Sequence, residues 1–192
     1  ERCCVMTSRL EKNIEMTEHE KRKVQIRITA QGTDWNRVAE ILMNAGLSSL
    51  SAEKQKTVFL RSYGVAFAYD GEELIGVGRV LSDEIDQAAI YNIALDEQYR
   101  GQEIGRSIIE ALISQVPGCT VILYTHPRTI AMYEHMGFRR LKTAMRYVGS
   151  GDEGVEFMED HGFLLPEHYR FHDNEYENIP YSPETRIPLD HV

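Results

Sequence analysis

Little in this chain supports a covalent framework. Among 192 residues there are three cysteines, two of them adjacent at Cys3 and Cys4, and such a set makes neither a disulfide lattice nor a zinc spacing. Cys119 reads as a small core residue ahead of a buried strand. Proline is scarce, at six residues, while hydrophobic residues reach 42%, which excludes a low-complexity, disordered chain. No apolar run approaches the roughly 20 residues that span a bilayer. The first residues lack the charged start and apolar centre of a secretory leader, so the expected setting is a reducing cytoplasm with no membrane contact. Positive charge is in deficit too. With 21 Lys and Arg against 30 Asp and Glu, the net charge is −9, which argues against a sequence-independent hold on nucleic acid. The same acidity suits a cationic substrate, but many cytosolic proteins are simply acidic, so it discriminates little.

What is present is a regular alternation of strand and helix signals. Residues 1–22 are polar and read as an exposed arm. Val24, Ile26 and Ile28 alternate with polar residues, the period of a half-buried strand. Thr33 or Asp34 can cap a helix that carries Trp35, Val38, Ala39, Leu42 and Ala45 and stops at Gly46. A second helix is expected from about Ala52 to Arg61. Val65–Tyr69 and Leu74–Leu81, joined through Asp70-Gly71, predict a hairpin. Ala88–Leu95 is nearly continuous in apolar character and predicts a central strand. Pro117-Gly118 breaks the chain before a strand over Thr120–Thr125. A short helix over Thr129–Met136 closes at Gly137, Phe138 starts another strand, and Thr143–Val148 gives one more. Residues 149–192 change to an acidic, His- and Tyr-rich composition and read as a C-terminal extension.

Between the Ala88–Leu95 strand and the next helix lies Asp96 to Arg106, a loop whose Arg100, Gly101 and Gly105 sit where the chain must turn sharply. Free N–H groups at a helix start, aided by the helix dipole, bind anions such as phosphate. A phosphate-bearing cofactor is therefore expected there. The glycine spacing and the preceding antiparallel hairpin do not fit a Rossmann dinucleotide fold.

This element order resembles the GNAT superfamily of acyltransferases over roughly residues 24–148, as judged by the order of elements. Arg100-Gly101-Gln102-Glu103-Ile104-Gly105 is similar to the family's acetyl-CoA loop, Gln/Arg-x-x-Gly-x-Gly/Ala. Tyr133-Glu134-His135-Met136-Gly137-Phe138 is similar to its Tyr-x-x-x-Gly-Phe helix ending. The resemblance implies an α+β fold of three layers, α/β/α. Its mixed, mostly antiparallel central sheet would hold a splayed strand pair between flanking helices. It places the GNAT domain at residues 23–148. It further implies acetyl-CoA as cosubstrate, held by Ile93, Ala94 and Leu95 along one strand and by Arg100, Gly101, Gln102, Glu103, Ile104, Gly105, Arg106 and Ser107 around the phosphates. Arg128 is a further candidate for a phosphate contact. Glu103 replaces the loop's second glycine and is expected to point outward.

Acetyl transfer to an amine requires loss of the amine proton, a polarised carbonyl and a protonated leaving thiolate. By resemblance, Tyr133 donates a proton to that thiolate. Candidate bases are His126, Asp83, Glu84, Asp86, Tyr91 and Asn92, with His126 and Asp83 preferred. Gly78-Arg79-Val80-Leu81-Ser82-Asp83 is similar to a segment of compact bacterial and plastid GNATs, some of which acetylate arylalkylamines or lysines. The expected activity is N-acetyl transfer to a small-molecule or protein amine, in a chain that could pair as a homodimer. The alternative is an acyl-CoA-binding sensor or assembly module, which Glu103 alone suggests. His168-x-x-x-His172 has helical metal spacing, but no third ligand is fixed, so no metal is expected.

Overall fold

The structure is a computed structural model that describes residues 24–141, 144–148, 154–160 and 163–164. The chain divides into two compact units, Glu1–Leu123 and Tyr124–Val192. In the first, strand β1 (Val24–Arg27) leads to helices α1 (Trp35–Asn44) and α2 (Ala52–Leu60). Strands β2 (Gly64–Asp70), β3 (Glu73–Ser82) and β4 (Gln87–Leu95), helix α3 (Ile104–Ile113) and strand β5 (Thr120–Ile122) follow. The five strands form one sheet in chain order, antiparallel except for the parallel β4–β5 pair.

Each element has a local cause. Of the two residues able to cap α1, Asp34 does so, its Oδ1 accepting from the N–H groups of Asn36 (2.9 Å) and Arg37 (3.2 Å), which satisfies donors that the helix itself leaves open. Thr33 is instead buried, and its hydroxyl has no partner among the described residues. Ser51 caps α2. The β2–β3 turn falls on Gly71 and Glu72, between the paired residues Asp70 and Glu73.

The sheet has helices on both faces. On one, Val38, Ile41 and Leu42 of α1 and Phe59 of α2 pack with Phe67, Tyr69 and Val77. Phe59 stacks on Phe67 at 5.7 Å and Trp35 meets both rings edge-on at 6.1 Å. On the other face α3 lies across β2, β3 and β4. It comes so close that a Cβ on Gly78 would stand 2.8 Å from Ile108 and 3.0 Å from Leu112. Burial on both faces explains why β2 is inaccessible along nearly its whole length.

Three strand expectations differ from the structure. β5 stops at Ile122, so Leu123, Tyr124 and Thr125 lie outside it. Its pairing with β4 covers only Gln87–Ala89, leaving β4 unpaired on that side from Ile90 to Leu95 among the described residues. β4 is thus central only over its first turn of pleat. Phe138–Leu141 and residues 144–148 form no strand. Met145 and Tyr147 are 97% and 92% exposed, because a segment of strand-forming residues needs a neighbouring edge to pair with.

The second unit contains α4 (Ile130–His135), preceded by a 3-10 turn over Pro127–Thr129, and α5 (Val155–Asp160). His168 and His172, residues 1–22 and most of 149–192 lie outside the described residues. No helix among the described residues is long and apolar enough to cross a membrane.

Candidate functional site

The loop after β4 is held at several points before it reaches α3. The Asp96 N–H donates to Ile75 O at 2.8 Å, and a 3-10 turn follows, with Tyr99 N–H on Asp96 O and Arg100 N–H on Glu97 O. Tyr99 is buried and its hydroxyl lies 3.0 Å from Asp70 Oδ2. Arg37 reaches over from α1, donating to Leu74 O (3.1 Å) and to the Asp96 carboxylate. Gly101 then takes φ 76° and Glu103 φ 62°, a region that glycine enters freely and glutamate does not. Among the described residues, no partner takes the backbone N–H groups of Gly101 through Arg106. A run of open donors at the positive end of a helix is the arrangement that receives phosphate.

The side chains of this loop divide by role. Ile104 is buried and anchors α3, so its N–H, not its side chain, is what it offers to the loop. Gln102 donates to Gln98 O, and Ser107 Oγ donates to Glu103 O. Glu103 projects outward, as expected, with its carboxylate 3.2 Å from Arg106 Nη1. Arg106 is also 3.1 Å from Glu110, and hydrogen bonding to Glu103 and then to Glu110 raises its pKa. That guanidinium is committed to carboxylates. Arg100, 3.8 Å from Glu97, borders a cavity of about 390 Å³ with Leu95, Asp96, Glu97 and the end of α1.

β4 carries an irregularity beside the loop. Val77 pairs with Ala94 and Arg79 with Tyr91, so Asn92 and Ile93 together stand opposite Gly78. Asn92 has φ 56°. This is a β-bulge, and it reverses which residues face which layer. Before it, Ile90 pairs with Val80 on the α3 side. After it, Ala94 joins the α1–α2 core, while Ile93 and Leu95 reach the positions a Cβ on Gly78 or Gly76 would occupy, toward α3. Ile93, Ala94 and Leu95 are therefore the last residues of an edge that β5 leaves open. Asn92 Oδ1 accepts from Arg79 Nε at 2.6 Å, and the Arg79 guanidinium lies 5.0 Å from the Tyr91 ring centre. This arrangement is not apparent from the motifs, although an asparagine inside an apolar strand is the signal that could have exposed it.

Asp83 is engaged as a turn residue. Its Oδ1 accepts from the N–H groups of Ile85 (2.9 Å), Asp86 (2.8 Å) and Gln87 (3.0 Å), and these bonds, that from Asp86 foremost, hold its carboxyl below the usual carboxylate range. Such a carboxylate is a poor proton acceptor near neutrality. The base role expected for Asp83 is replaced by organisation of the β3–β4 turn, to which Asp86 contributes a backbone donor and Glu84 a φ of 69°.

In the second unit, His126 caps the 3-10 turn. Its Nδ1 accepts from Arg128 N–H at 3.1 Å and its carbonyl accepts from Thr129. With Nδ1 as acceptor, the neutral ring carries its proton on Nε2 and has no spare lone pair. This disfavours His126 as a base as well. Arg128 supplies a backbone donor to the same turn. Tyr133 on α4 is 8% exposed and meets Phe138 edge-on at 5.6 Å. Burial raises its pKa, while the hydrogen bond to Thr125 works in the other direction. Thr125 Oγ1 also lies 2.6 Å from Thr129 Oγ1. Gly137 N–H donates to Glu134 O, and Phe138 N–H to Tyr133 O, closing the helix. No metal-binding cluster occurs among the described residues.

A family model described as "Acetyltransferase (GNAT) domain" matches residues 61–140, a span that contains the open-donor loop, the bulged strand and the Tyr133–Phe138 helix ending. Over this span the chain is similar to the GNAT family of acetyltransferases. Among curated relatives it is similar to GCN5-related N-acetyltransferase 2, chloroplastic, of Arabidopsis thaliana (30% identity over 77 residues, 36% of this chain and 30% of that protein). It is similar also to N-alpha-acetyltransferase 30 of Dictyostelium discoideum (28% over 102 residues, 47% and 54%). The [Ribosomal protein bS18]-alanine N-acetyltransferase of Escherichia coli matches at 30% over 74 residues, 35% of this chain and 50% of that one. The chain thus spans between 30% and 54% of the length of these relatives.

Solved structures agree on the GNAT fold. A probable acetyltransferase of Staphylococcus aureus superposes with a TM-score of 0.57 at 24% identity, over 65% of this chain and 99% of that one. A GNAT family acetyltransferase of Elizabethkingia anophelis with acetyl-CoA bound gives a TM-score of 0.51 at 21% identity, over 62% and 78%. The five-stranded, mostly antiparallel sheet with helices on both faces is the α+β architecture expected.

Proposed function

We propose that this chain is an acetyl-CoA-dependent N-acetyltransferase that acts on a primary amine of a small molecule or a protein. The observation that carries this reading is the run of unpartnered N–H groups from Gly101 to Arg106, next to the open edge of β4. A pyrophosphate suits the first, since backbone donors and the dipole of α3 favour negative charge. An extended chain with amide groups, such as pantetheine, suits the second, since an unpaired strand edge offers donors and acceptors at regular spacing. Space for the ligand is supported at Gly101 and Gly105, where a Cβ would meet nothing within 4 Å. We place the GNAT domain at residues 23–148, with an N-terminal arm over 1–22 and a C-terminal extension over 149–192.

In the proposed reaction the neutral amine nitrogen attacks the thioester carbonyl carbon. A C–N bond forms as the C–S bond breaks, and the nitrogen passes its surplus proton to water. Tyr133, the motif tyrosine, gives its phenolic proton to the leaving thiolate and regains one from solvent. The relatives named for N-alpha and ribosomal-protein alanine acetylation support an amine acceptor, and the net charge of −9 is compatible with one.

The binding-module alternative rested on Glu103. Its carboxylate is directed outward and paired with Arg106, so it does not oppose a phosphate in the loop. The test is thiol release from acetyl-CoA with a panel of polyamines, arylalkylamines, peptide N-termini and lysine peptides, with the acetylated product weighed by mass spectrometry. Release that depends on an amine supports the transferase. Acetyl-CoA binding with no turnover on any amine overturns it in favour of the module.

A further inference from the structure

We infer that Arg79 is a positioning residue, which locks the left-handed kink at Asn92 and so keeps the end of β4 in the form that receives the acyl donor. The inference rests on the proposed function for its catalytic meaning, but its structural content stands on β3 and β4 alone. Asn92 holds φ 56° inside a strand, a left-handed conformation that asparagine enters more readily than other non-glycine residues but still at a cost, so a supporting contact favours it. The supporting contact is identifiable. Arg79 Nε donates to Asn92 Oδ1 at 2.6 Å, its Nη1 lies 3.4 Å from Ser62 Oγ just after α2, and its guanidinium sits over Tyr91. The side chain is thus held from the turn after α2 and from β3 and β4 together, and a half-buried cation bound to a neutral amide makes a strong hydrogen bond.

The kink has a consequence along the whole strand end. One additional residue in β4 sends Ala94 into the α1–α2 core and Ile93 and Leu95 toward α3. Without it, an ideal register would exchange these faces. The pairing of β4 with β5 ends at Ala89, just ahead of the kink. A relaxed Asn92 would therefore shift the backbone groups of Ile93, Ala94 and Leu95, the ones proposed to align the acyl donor.

Glycine provides the discriminating experiment, because it adopts φ near +56° with no side-chain support. Four proteins are compared: wild type, Arg79→Leu, Asn92→Gly and the double variant. The readouts are the acetyl-CoA dissociation constant, kcat, and amide hydrogen exchange of residues 90–95 in the ligand-free protein. Arg79→Leu is expected to weaken acetyl-CoA binding and to speed β4 exchange by about tenfold or more, the loss of one charge-assisted hydrogen bond. Asn92→Gly is expected to keep acetyl-CoA affinity and β4 exchange within about threefold of wild type, and Arg79→Leu to add less than about threefold to either in its background. A purely space-filling Arg79 would cost the same in both backgrounds, and that result overturns the inference. So does an Asn92→Gly variant as impaired as Arg79→Leu. Should Arg79→Leu not fold, Asn92→Ala, which removes the acceptor and disfavours the kink, is expected to reproduce the binding and exchange defects; wild-type exchange in it overturns the lock. A wild-type protein that binds no acetyl-CoA but shows the exchange coupling retains the lock and overturns the proposed function.

Discussion

The Glu103 carboxylate lies 3.2 Å from the guanidinium of Arg106, one turn further along the exposed surface of α3. The pair accounts for a carboxylate in the loop proposed to hold phosphate, since its charge is turned outward and paired with a guanidinium. The backbone bears the burden, at φ 62°.

Replacement of Glu103 by glycine is therefore expected to be neutral or to stabilise the fold by up to about 1 kcal/mol. Relief of left-handed strain offsets the loss of a weak, solvent-screened surface ion pair and the flexibility that glycine adds to the unfolded chain. Glu103→Val should instead destabilise by at least about 1 kcal/mol, because a β-branched residue tolerates that φ poorly. Denaturant titration of the two variants checks the order, and acetyl-CoA affinity should be no weaker in Glu103→Gly than in wild type.

Gly105 separates ligand space from fold. It lies in the first turn of α3 with nothing within 4 Å of the position a Cβ would take. Gly105→Ala should thus preserve or raise thermal stability, by up to about 1 kcal/mol from helix propensity. If pyrophosphate approaches this backbone, the same methyl group should weaken acetyl-CoA about tenfold, measured by calorimetry. Equal affinity in the variant would remove Gly105 from the cofactor cradle.

The elements legible in the sequence were those with local causes. The period of Val24, Ile26 and Ile28, the cap at Asp34, the turn after Asp70 and the glycine spacing of the loop each act within a few residues. β5 and the 144–148 segment depend on something else. Strand length requires a neighbouring edge, and composition does not report whether that edge exists. The kink at Asn92 was hidden for a related reason, since its support comes from Arg79 on another strand. Asp83 and His126 showed the right chemistry for a base, but turn geometry commits Asp83 Oδ1 and His126 Nδ1 to backbone N–H groups.

That assignment makes a prediction about both residues. Asp83→Asn and His126→Gln are expected to change kcat by less than about threefold, against the 10² or more expected for loss of a general base. Asp83 should instead register in acid. Its folded pKa is depressed by the backbone donors, so its contribution to stability is present above the unfolded carboxylate value of about 4 and is lost as pH falls through the lower, folded one. Wild type should lose stability in that acid range more steeply than Asp83→Asn, as followed by denaturant midpoints across pH.

Tyr133 yields the most direct test of chemistry. Its phenol is buried, and burial is the leading cause of its raised pKa, so the proton needed by a leaving thiolate stays in place beyond the ordinary tyrosine value of about 10. The neutral phenol's contribution to stability is complete below that value and declines as pH rises through the higher, folded pKa. Tyr133→Phe should leave the fold within about 1 kcal/mol of wild type, since Thr125 retains Thr129 as a hydroxyl partner. Acetyl-CoA affinity should persist while kcat falls by about 10²-fold, the usual scale for loss of a positioned acid. The deficit should shrink with acyl donors whose leaving thiol has a lower pKa, because a more stable thiolate needs the proton less. Equal kcat in the two proteins, or a deficit indifferent to the leaving group, would reduce Tyr133 to a packing residue against Phe138.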